Sequence, residues 1–264
     1  MKLLKLFNRI REPNYLRMID ASISDNLTII DVGSDDGYES NYILKKYSQI
    51  SKIHLVEPSN YNLNKVKKKI PKKHLENIEY HNFAISNKDY LGDFYISSKS
   101  PNMNSPYIMD ESVYSEKILF KTLSTFIIEN NIVSPILIMM DIEGQEVEVL
   151  EGLLNVIDQI DEIKILMEVH PHHYNSIHSL EKILSLYFEN NFNPLLIESA
   201  GSPTPEKFKE KSMVPIIVNG NRALYQKPSK NFVLRYACHP HENSINYDPW
   251  VTKKIVRSVL IEKN

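Results

Sequence analysis

The chain has 264 residues, with 31 basic and 33 acidic side chains and a formal net charge of −2. This length can bury a full core, and the near-neutral charge provides no broad basic surface, so we expect no nucleic-acid partner. The single cysteine, Cys238, excludes an intrachain disulfide and favours a reducing compartment, the cytoplasm, and no apolar run reaches transmembrane length.

The first 26 residues predict a helical extension. Basic side chains alternate with leucine, isoleucine and phenylalanine over residues 1–19. Because charges interrupt the apolar residues and no small-residue cleavage site follows, a signal peptide is disfavoured. Two interpretations stay open, namely a helix that packs on the domain near the mouth of its site and a helix that lies on a membrane surface.

A strand, a glycine turn and the start of a helix are predicted over residues 27–38. The apolar run ends in Asp31, and Gly33 and Gly37 follow it. Glycine lets the backbone approach a ligand, and doubly wound sheets bind ligands at strand ends of this kind. The segment therefore predicts a nucleoside-like cofactor, although a glycine turn without any ligand has the same pattern.

The composition of this turn distinguishes between two cofactors. Dinucleotide-binding turns have a middle glycine where this chain has Asp35, and Asp36 adds a second negative charge. These acids would repel a pyrophosphate, which disfavours an NAD-dependent oxidoreductase. S-adenosylmethionine has no phosphate and carries a sulfonium and an ammonium, so it fits an acidic turn better.

The next predicted strand, residues 52–57, ends in Glu57, which lies 24 residues after Gly33. An acid about 20 residues beyond the glycine turn binds ribose hydroxyls in doubly wound sheets. A carboxylate can accept hydrogen bonds from both hydroxyls. We therefore predict a ribose contact for Glu57, and the alternative is a solvated acid at a strand end.

Two later strands also end in groups suited to chemistry. The strand at residues 136–141 ends in Asp141, with Glu143 just beyond, and the strand at residues 163–169 precedes His170. If the two strands are neighbours, these groups converge beside the cofactor. We predict His170 as the general base, since a neutral imidazole is available near neutral pH, with Asp141 and Glu143 as its catalytic partners.

The same strand ends allow two further interpretations. Asp141, Glu168 and His170 form a candidate divalent-metal site, because carboxylates suit hard cations and an imidazole extends the set to manganese or zinc. A metal at this site is the alternative interpretation, and we do not favour it. A structural histidine that only makes hydrogen bonds is the alternative for His170. Glu146, in the first turn of the following helix, is interpreted as a capping residue that complements the helix dipole.

Five motifs together resemble the FkbM-type methyltransferases, which depend on S-adenosylmethionine, over roughly residues 27–200. The Asp-x-Glu-Gly-x-Glu block is the most specific of them. The chain departs from the family pattern at Ser34-Asp35, where Ala-Asn is usual, and at Met140, where lysine is frequent. The motifs are Asp31-Val-Gly-Ser-Asp-Asp-Gly-Tyr-Glu-Ser40, Val56-Glu-Pro-Ser59, Asn82-Phe-Ala-Ile-Ser-Asn87, Met140-Asp-Ile-Glu-Gly-Gln-Glu-Val-Glu-Val-Leu-Glu-Gly152 and Met167-Glu-Val-His170.

The resemblance implies a cofactor pocket with named residues. Asp31 and Gly33 would line the methionine portion and Glu57 the ribose. The Asn82 turn would border the adenine, whose edge an amide can pair with; Phe83 in that turn is equally well a core residue. The predicted cofactor residues are Asp31, Gly33, Ser34, Asp35, Gly37, Glu57, Pro58, Asn82, Phe83, Ala84 and Asp141.

The resemblance also implies an O-methyltransferase whose acceptor is a hydroxyl of a sugar, either nucleotide-linked or part of a surface glycan. A non-catalytic cofactor-binding module that recognises a partner protein is the alternative. A homodimer is expected from the prevalence of symmetric oligomers among soluble proteins. The predicted acceptor-side residues are Tyr107, His172, His173, Tyr174 and Arg222.

Alternating strands and helices predict a doubly wound α/β fold, with a mostly parallel seven-stranded Rossmann-like sheet and helices on both faces. The expected segments are an N-terminal helical extension (1–26), a methyltransferase domain (27–227) and a C-terminal extension (228–264) that packs on the same domain. A hairpin is predicted within residues 85–98. The remaining expectations are loops at 98–116 and 201–220 and a final helix near 249–262.

Overall fold

The computed structural model describes residues 13–97, 112–201, 204–240, 242–249 and 255–263. Its strands are β1 (Thr28–Val32), β2 (Lys52–Val56), β3 (Ile78–His81), β4 (Ala84–Ser86), β5 (Tyr90–Ser97), β6 (Ser112–Thr122), β7 (Ile136–Met140), β8 (Ile163–Glu168), β9 (Asn193–Ser199), β10 (Ile217–Asn219), β11 (Arg222–Gln226) and β12 (Val256–Lys263). Its α-helices are α1 (Pro13–Ser22), α2 (Tyr38–Lys46), α3 (Asn60–Lys69), α4 (Leu123–Glu129), α5 (Glu146–Leu153), α6 (Leu180–Glu189), α7 (Thr204–Glu210) and α8 (Lys230–Ala237). Short 3-10 helices cover Lys72–Asn77, Ile157–Gln159 and Pro171–His173.

Nine of these strands form one sheet in the order β10-β11-β9-β12-β8-β7-β1-β2-β3. The strands from β8 to β3 run parallel, and β12, between β8 and β9, is antiparallel to both. The carboxyl ends of the five parallel strands therefore meet at one edge, where doubly wound sheets bind ligands. The predicted α/β class with a mostly parallel central sheet is confirmed, with nine strands in place of seven.

β7 illustrates why helices cover both faces of the sheet. All five of its residues are buried. Ile136, Ile138 and Met140 join a core that includes residues of α4, α5 and α6. Leu137 and Met139 join a second core that includes residues of α1, α2 and α3. A continuous apolar run is what a parallel strand between two helical layers requires, so the predicted helices on both faces are confirmed.

β12 occupies the place of the helix predicted near residues 249–262, and that prediction is wrong over the described residues. Its neighbours β8 and β9 pair with it along most of its length, and Val259, Leu260 and Ile261 are all buried. A continuous apolar run is expected in a strand that is covered on both faces. The two strands that pair with β12 lie far away in the sequence. The expected division of the chain into three segments stays a prediction, although β12 belongs to the main sheet.

A second sheet of three strands, in the order β4-β6-β5, replaces the hairpin predicted within residues 85–98. β5 pairs with β6 in antiparallel fashion and β4 pairs with β6 in parallel, so the hairpin prediction is wrong. The Asp89 carboxylate accepts a hydrogen bond from the Thr122 backbone N–H at 2.6 Å, which ties the turn before β5 to the end of β6.

The loop predictions are partly replaced by regular structure. Residues 98–111 lie outside the described residues, and residues 112–116 belong to β6. Between residues 204 and 219 the predicted second loop contains α7 and β10.

The N-terminal extension is described from α1 onwards, and residues 1–12 lie outside the described residues. Tyr15, Met18 and Ile19 of α1 pack into the second core. The membrane-surface interpretation of the preceding residues stays a prediction. Among the helices in the described ranges, none is both long and apolar enough to cross a membrane.

Candidate active site

A cavity of about 320 Å³ opens at the edge of the sheet where β1, β2, β7 and β8 end. Tyr15 of α1 and Phe94 and Phe120 of the three-stranded sheet form part of its wall. Most of the predicted cofactor and catalytic residues meet here. The predicted residues that line the cavity are Asp31, Gly33, Ser34, Asp35, Glu57, Pro58, Phe83, Ala84, Asp141, Glu143 and Glu168.

Gly33 lies where the loops after β1 and β7 come closest. Its φ is 78°, and a Cβ atom here would lie 2.7 Å from both the Asp141 carbonyl oxygen and Ile142 Cγ2. Any other residue would be strained by the backbone conformation and blocked by the neighbouring loop. The Gly37 N–H closes the turn by donating to the Ser34 carbonyl oxygen at 2.7 Å. The cofactor contacts of these turn residues stay predictions.

Asp31, the residue before the last in β1, has a buried carboxylate in the cavity wall. Its Oδ2 accepts a hydrogen bond from Ser40 Oγ of α2 at 2.5 Å. Burial raises the pKa of Asp31 to about 6, although the hydrogen bond from Ser40 opposes this shift. A cationic ligand would favour the ionised form of such a carboxylate. Asp31 therefore fits the ammonium or sulfonium of S-adenosylmethionine.

Glu57 connects the two turns that follow β1 and β2. Its Oε2 accepts from the Asp35 backbone N–H at 3.0 Å, and its Oε1 accepts from the Ser59 backbone N–H at 2.9 Å. Burial raises the pKa of Glu57 to about 7, while these hydrogen bonds oppose the shift. The Asn62 side chain makes a third hydrogen bond to this carboxylate. A carboxylate has about four acceptor sites, so the structural contacts leave one for a ribose hydroxyl.

Replacing Glu57 with glutamine should weaken binding of adenosine and S-adenosylhomocysteine at least about tenfold, because one backbone N–H would face an amide donor and a ribose acceptor would be lost. Isothermal titration calorimetry measures both affinities. Wild-type protein should also prefer adenosine to 2′-deoxyadenosine, and the variant should lose this preference. Equal wild-type affinity for the two nucleosides would contradict a ribose contact.

The Asn82 turn is held by the loop after β2. Asn82 Nδ2 donates to the carbonyl oxygens of Glu57 and Pro58 at 3.0 and 2.9 Å. The amide hydrogens are thereby used to shape the pocket, which leaves only the Oδ1 atom for an adenine edge. Phe83 is buried against Phe126 and also lines the cavity, so core packing and ligand contact are compatible at this position.

His170 lies at the centre of a cluster of carboxylates just behind the cavity wall. Its Nε2 is 3.6 Å from Asp141 Oδ1, 3.6 Å from Glu143 Oε2 and 3.8 Å from Glu168 Oε1. Its Nδ1 is 2.7 Å from Glu146 Oε1. An ionised carboxylate is only an acceptor, so Nδ1 must carry the hydrogen, and the Nε2 lone pair of a neutral ring faces the cavity-lining acids.

Glu146 does more than the capping predicted from the sequence. It is fully buried, and its Oε1 accepts from the Gly144 backbone N–H at 3.1 Å. Its Oε2 accepts from the Tyr174 hydroxyl at 2.8 Å, and that hydroxyl in turn accepts from the His170 backbone N–H at 3.0 Å. Burial opposes ionisation, but the contacts with His170 and Tyr174 outweigh it and lower the pKa of Glu146.

Asp141 has the most perturbed environment among the cavity acids. Its side chain is 54% exposed within the opening, yet protein groups surround that opening. Although the side chain is exposed to the cavity, the surrounding protein atoms exclude bulk water from it. This desolvation raises the pKa of Asp141 to about 7, and the neighbouring Glu168 carboxylate adds to the shift. A carboxylate poised near neutrality beside an imidazole is a common feature of catalytic sites.

Arg257 is a site residue that the sequence reasoning missed. It lines the cavity, and its Nη2 lies 3.0 Å from Glu168 Oε2. Arg257 belongs to β12, which was predicted as helix, so its position beside the end of β8 was not accessible from local sequence. A guanidinium at this point partly balances the concentration of carboxylates around His170.

The predicted acceptor-side residues are distributed more widely. Tyr174 is buried and orients Glu146, so it belongs to the cluster around His170 and does not line the cavity. His173 packs against Gly144, where a Cβ would lie 2.5 Å from its ring, and His172 is exposed. Arg222 begins β11, three strands beyond β8. Tyr107 lies outside the described residues.

Comparisons with known proteins place this geometry in a family. The sequence model of the methyltransferase FkbM domain matches residues 31–194, which is more than half of the chain. No curated protein matches the chain in sequence.

Solved structures with a related fold share little sequence with this chain. The methyltransferase FkbM from Methylobacillus flagellatus KT is 19% identical, with a TM-score of 0.42, over 62% of this chain and 38% of that one. A SAM dependent methyltransferase from Aquifex aeolicus is 15% identical, with a TM-score of 0.40, over 73% and 90%. An rRNA methylase from Streptococcus thermophilus is 10% identical, with a TM-score of 0.38, over 80% and 93%. The match thus spans well under half of the M. flagellatus protein.

The family assignment rests on the sequence match, since the TM-scores are too low to carry it. The matched residues, 31–194, include the glycine turn, Glu57, the Asp141 block and His170. The resemblance inferred from the five motifs is confirmed, and with it the preference for S-adenosylmethionine over a nicotinamide. The chain belongs to the FkbM methyltransferase family and is a methyltransferase that uses S-adenosylmethionine as its methyl donor.

Proposed function

We propose that the protein methylates a hydroxyl group of a sugar and that His170 takes up the hydroxyl proton. The observation that carries this proposal is the fixed orientation of the His170 ring, whose Nδ1 is held by Glu146 at 2.7 Å. Nε2 is thereby directed towards Asp141 and Glu143, which line the cavity. A hydroxyl has a high pKa, so a positioned base assists its reaction.

The other residues of the cavity bind the cofactor and stabilise the protonated form of His170. Asp31 and Glu57 provide buried carboxylates for the cationic and ribose portions of the cofactor. Bound S-adenosylmethionine supplies a methyl group already activated by the sulfonium, so catalysis is mainly alignment of the acceptor and removal of its proton. The Asp141 and Glu143 carboxylates stabilise the imidazolium that forms when His170 accepts that proton.

The acceptor class follows from the cavity and from the overall charge. A site lined by Asp31, Glu57, Asp141, Glu143 and Glu168 repels bare phosphates but accepts hydrogen bonds from hydroxyl groups. With a net charge of −2, the chain also lacks a general attraction for nucleic acid. We therefore favour a sugar over RNA as the acceptor, whether the sugar is free or carried by a nucleotide. We also propose that the enzyme is cytoplasmic and homodimeric.

A mass-spectrometric screen tests this function directly. Purified protein and S-adenosylmethionine are incubated with free sugars, nucleotide-linked sugars, glycan fragments and RNA, and products are searched for a gain of one methyl group. Methylation of a sugar hydroxyl supports the proposal. Methylation of RNA alone would overturn the acceptor class, and cofactor binding without product from any acceptor would favour the non-catalytic module.

Binding of a divalent metal is the alternative role for Asp141, Glu168 and His170. Their potential ligand atoms lie within 4.8 Å of one another. We favour the base, because Arg257 already supplies a positive charge to Glu168. Turnover measured after thorough chelation should therefore be unchanged. Loss of turnover that Mg²⁺ or Mn²⁺ restores would assign these three residues to a metal instead.

A further inference from the structure

A second group of metal-ligating side chains lies on the opposite side of β1 from β7, on strands β2 and β3. His54 of β2 pairs in register with Glu79 of β3, and His81 follows Glu79 by two residues. Residues in register, and residues two apart on one strand, share a face of the sheet, so all three side chains project the same way. None of the three lines the cavity at the strand ends.

The donor atoms of this cluster are spaced as a single metal ion requires. His54 Nδ1 is 3.1 Å from His81 Nε2 and 3.5 Å from Glu79 Oε2, and His81 Nε2 is 3.9 Å from Glu79 Oε2. Tetrahedral donors about 2.05 Å from a zinc ion are about 3.3 Å apart. The three separations lie around this value without any movement of the backbone.

The surroundings of the cluster hold the two rings in place and leave the carboxylate accessible. The edge of Phe126 packs against His54 and His81, with ring centroids 5.5 and 4.8 Å apart. The His54 side chain is 5% exposed and that of Glu79 is 44% exposed, so an ion can enter from solvent. Lys52 binds the other carboxylate oxygen of Glu79, Oε1, at 3.2 Å and leaves Oε2 directed at the histidines.

The protonation state of the imidazoles agrees with this geometry. Burial lowers the pKa of His54 to about 4, with a smaller contribution from His81. Burial also lowers the pKa of His81, although Glu79 opposes that shift. Both rings are therefore neutral near pH 7, which is the form of histidine that binds metals.

We infer that His54 Nδ1, His81 Nε2 and Glu79 Oε2 bind one divalent transition-metal ion of the zinc class. Two imidazoles and one carboxylate are a donor set found in zinc sites, and they are softer than the all-oxygen sets that hold Mg²⁺ or Ca²⁺. On binding, the N–H···N hydrogen bond between the rings is exchanged for two nitrogen–metal bonds. The ring that donated this hydrogen bond changes tautomer, so each ring then carries its proton on the nitrogen that does not bind the metal.

The ion would join β2 to β3, the last strand at that end of the sheet. A structural role follows from this position. His81 ends β3 immediately before Asn82, whose side chain holds the loop after β2 at the cofactor cavity. A metal bound to the folded chain and not to the unfolded chain stabilises the fold by mass action.

Zn²⁺ titration of metal-free full-length protein tests the inference, with Co²⁺ absorption as a report on coordination. Wild-type protein should bind one Zn²⁺ at this cluster, its melting temperature should rise, and Co²⁺ should give the intense visible bands of a tetrahedral site. Glu79→Gln should weaken Zn²⁺ binding at least about tenfold, since it removes a charged ligand. Because the Glu79 side chain is 44% exposed, this variant should fold even if His81→Asn does not.

Two matched variants separate this cluster from other binding sites. Glu76→Gln makes the same change at an exposed residue three positions away and should bind Zn²⁺ as wild type does. Asp141→Asn removes a ligand of the competing set in the active site and should also keep this binding event. Equal affinity in Glu79→Gln and Glu76→Gln, or no Zn²⁺ binding by wild type, would overturn the inference.

Discussion

His170→Ala is expected to lower kcat by about 10²–10⁴-fold, the usual contribution of a positioned general base. The affinity for S-adenosylhomocysteine should stay near the wild-type value, because His170 lies behind the cavity wall and none of the proposed cofactor contacts involves it. Single-turnover methyl transfer and calorimetry measure the two quantities separately. A variant that keeps wild-type turnover would remove His170 from the mechanism.

Two further variants make the His170 result specific. His74→Ala changes a histidine in the 3-10 helix Lys72–Asn77, away from the cluster, and should leave kcat unchanged. Tyr174→Phe removes the hydroxyl that donates to Glu146 at 2.8 Å and accepts from the His170 N–H. A positioning role predicts a smaller loss of kcat and a displaced pH profile with an unchanged KM for the cofactor. A purely structural role predicts only a lower melting temperature.

Gly33→Ala is expected to destabilise the fold and to weaken cofactor binding more than any other alanine substitution in the turn. The left-handed conformation alone costs an alanine about 1–2 kcal/mol. The contact at 2.7 Å with the Asp141 carbonyl oxygen adds an overpacking cost of about 1–3 kcal/mol. Relief of this contact would move the loop after β7 and, with it, the Asp141 carboxylate in the cavity.

Gly220 provides the matched control for this prediction. Its φ is 60°, close to that of Gly33, but no atom lies within 4 Å of the position that a Cβ would occupy. Gly220→Ala therefore incurs the conformational cost without the collision. Denaturant unfolding and calorimetry with S-adenosylhomocysteine should show a larger stability loss and a loss of affinity only in Gly33→Ala. Equal effects in the two variants would mean that the contact between the loops is unimportant.

The parts of the site that were predictable from the sequence share one property, which is that local pattern determines them. An apolar run followed by Asp31 and Gly33 predicts a strand and a tight turn wherever it occurs. The runs before Asp141 and before His170 predict buried strands in the same way. Because parallel strands end at one edge of a sheet, the convergence of these residues follows from the fold class alone.

The parts that were not predictable depend on which segments become neighbours. Nothing near Asn82 indicates that its amide hydrogens are used by the carbonyl oxygens of Glu57 and Pro58. The hydroxyl and aromatic ring of Tyr174 suit an acceptor-side residue, and only the fold reveals that this hydroxyl reaches Glu146. Arg257 was missed because residues 249–262 were assigned to a helix, although the β-branched residues within 255–261 favour a strand. The place of that strand between β8 and β9 is non-local and could not be predicted from the segment itself.

The place of β12 in the sheet has a consequence for the order in which the protein matures. β12 lies between β8 and β9, yet residues 200–255 separate it from β9 in the chain. During synthesis on the ribosome, β8 and β9 must wait with unpaired edges until residues 256–263 have left the exit tunnel. Arg257 arrives with the same strand, so closure of the sheet and completion of the charge balance around Glu168 are a single late event.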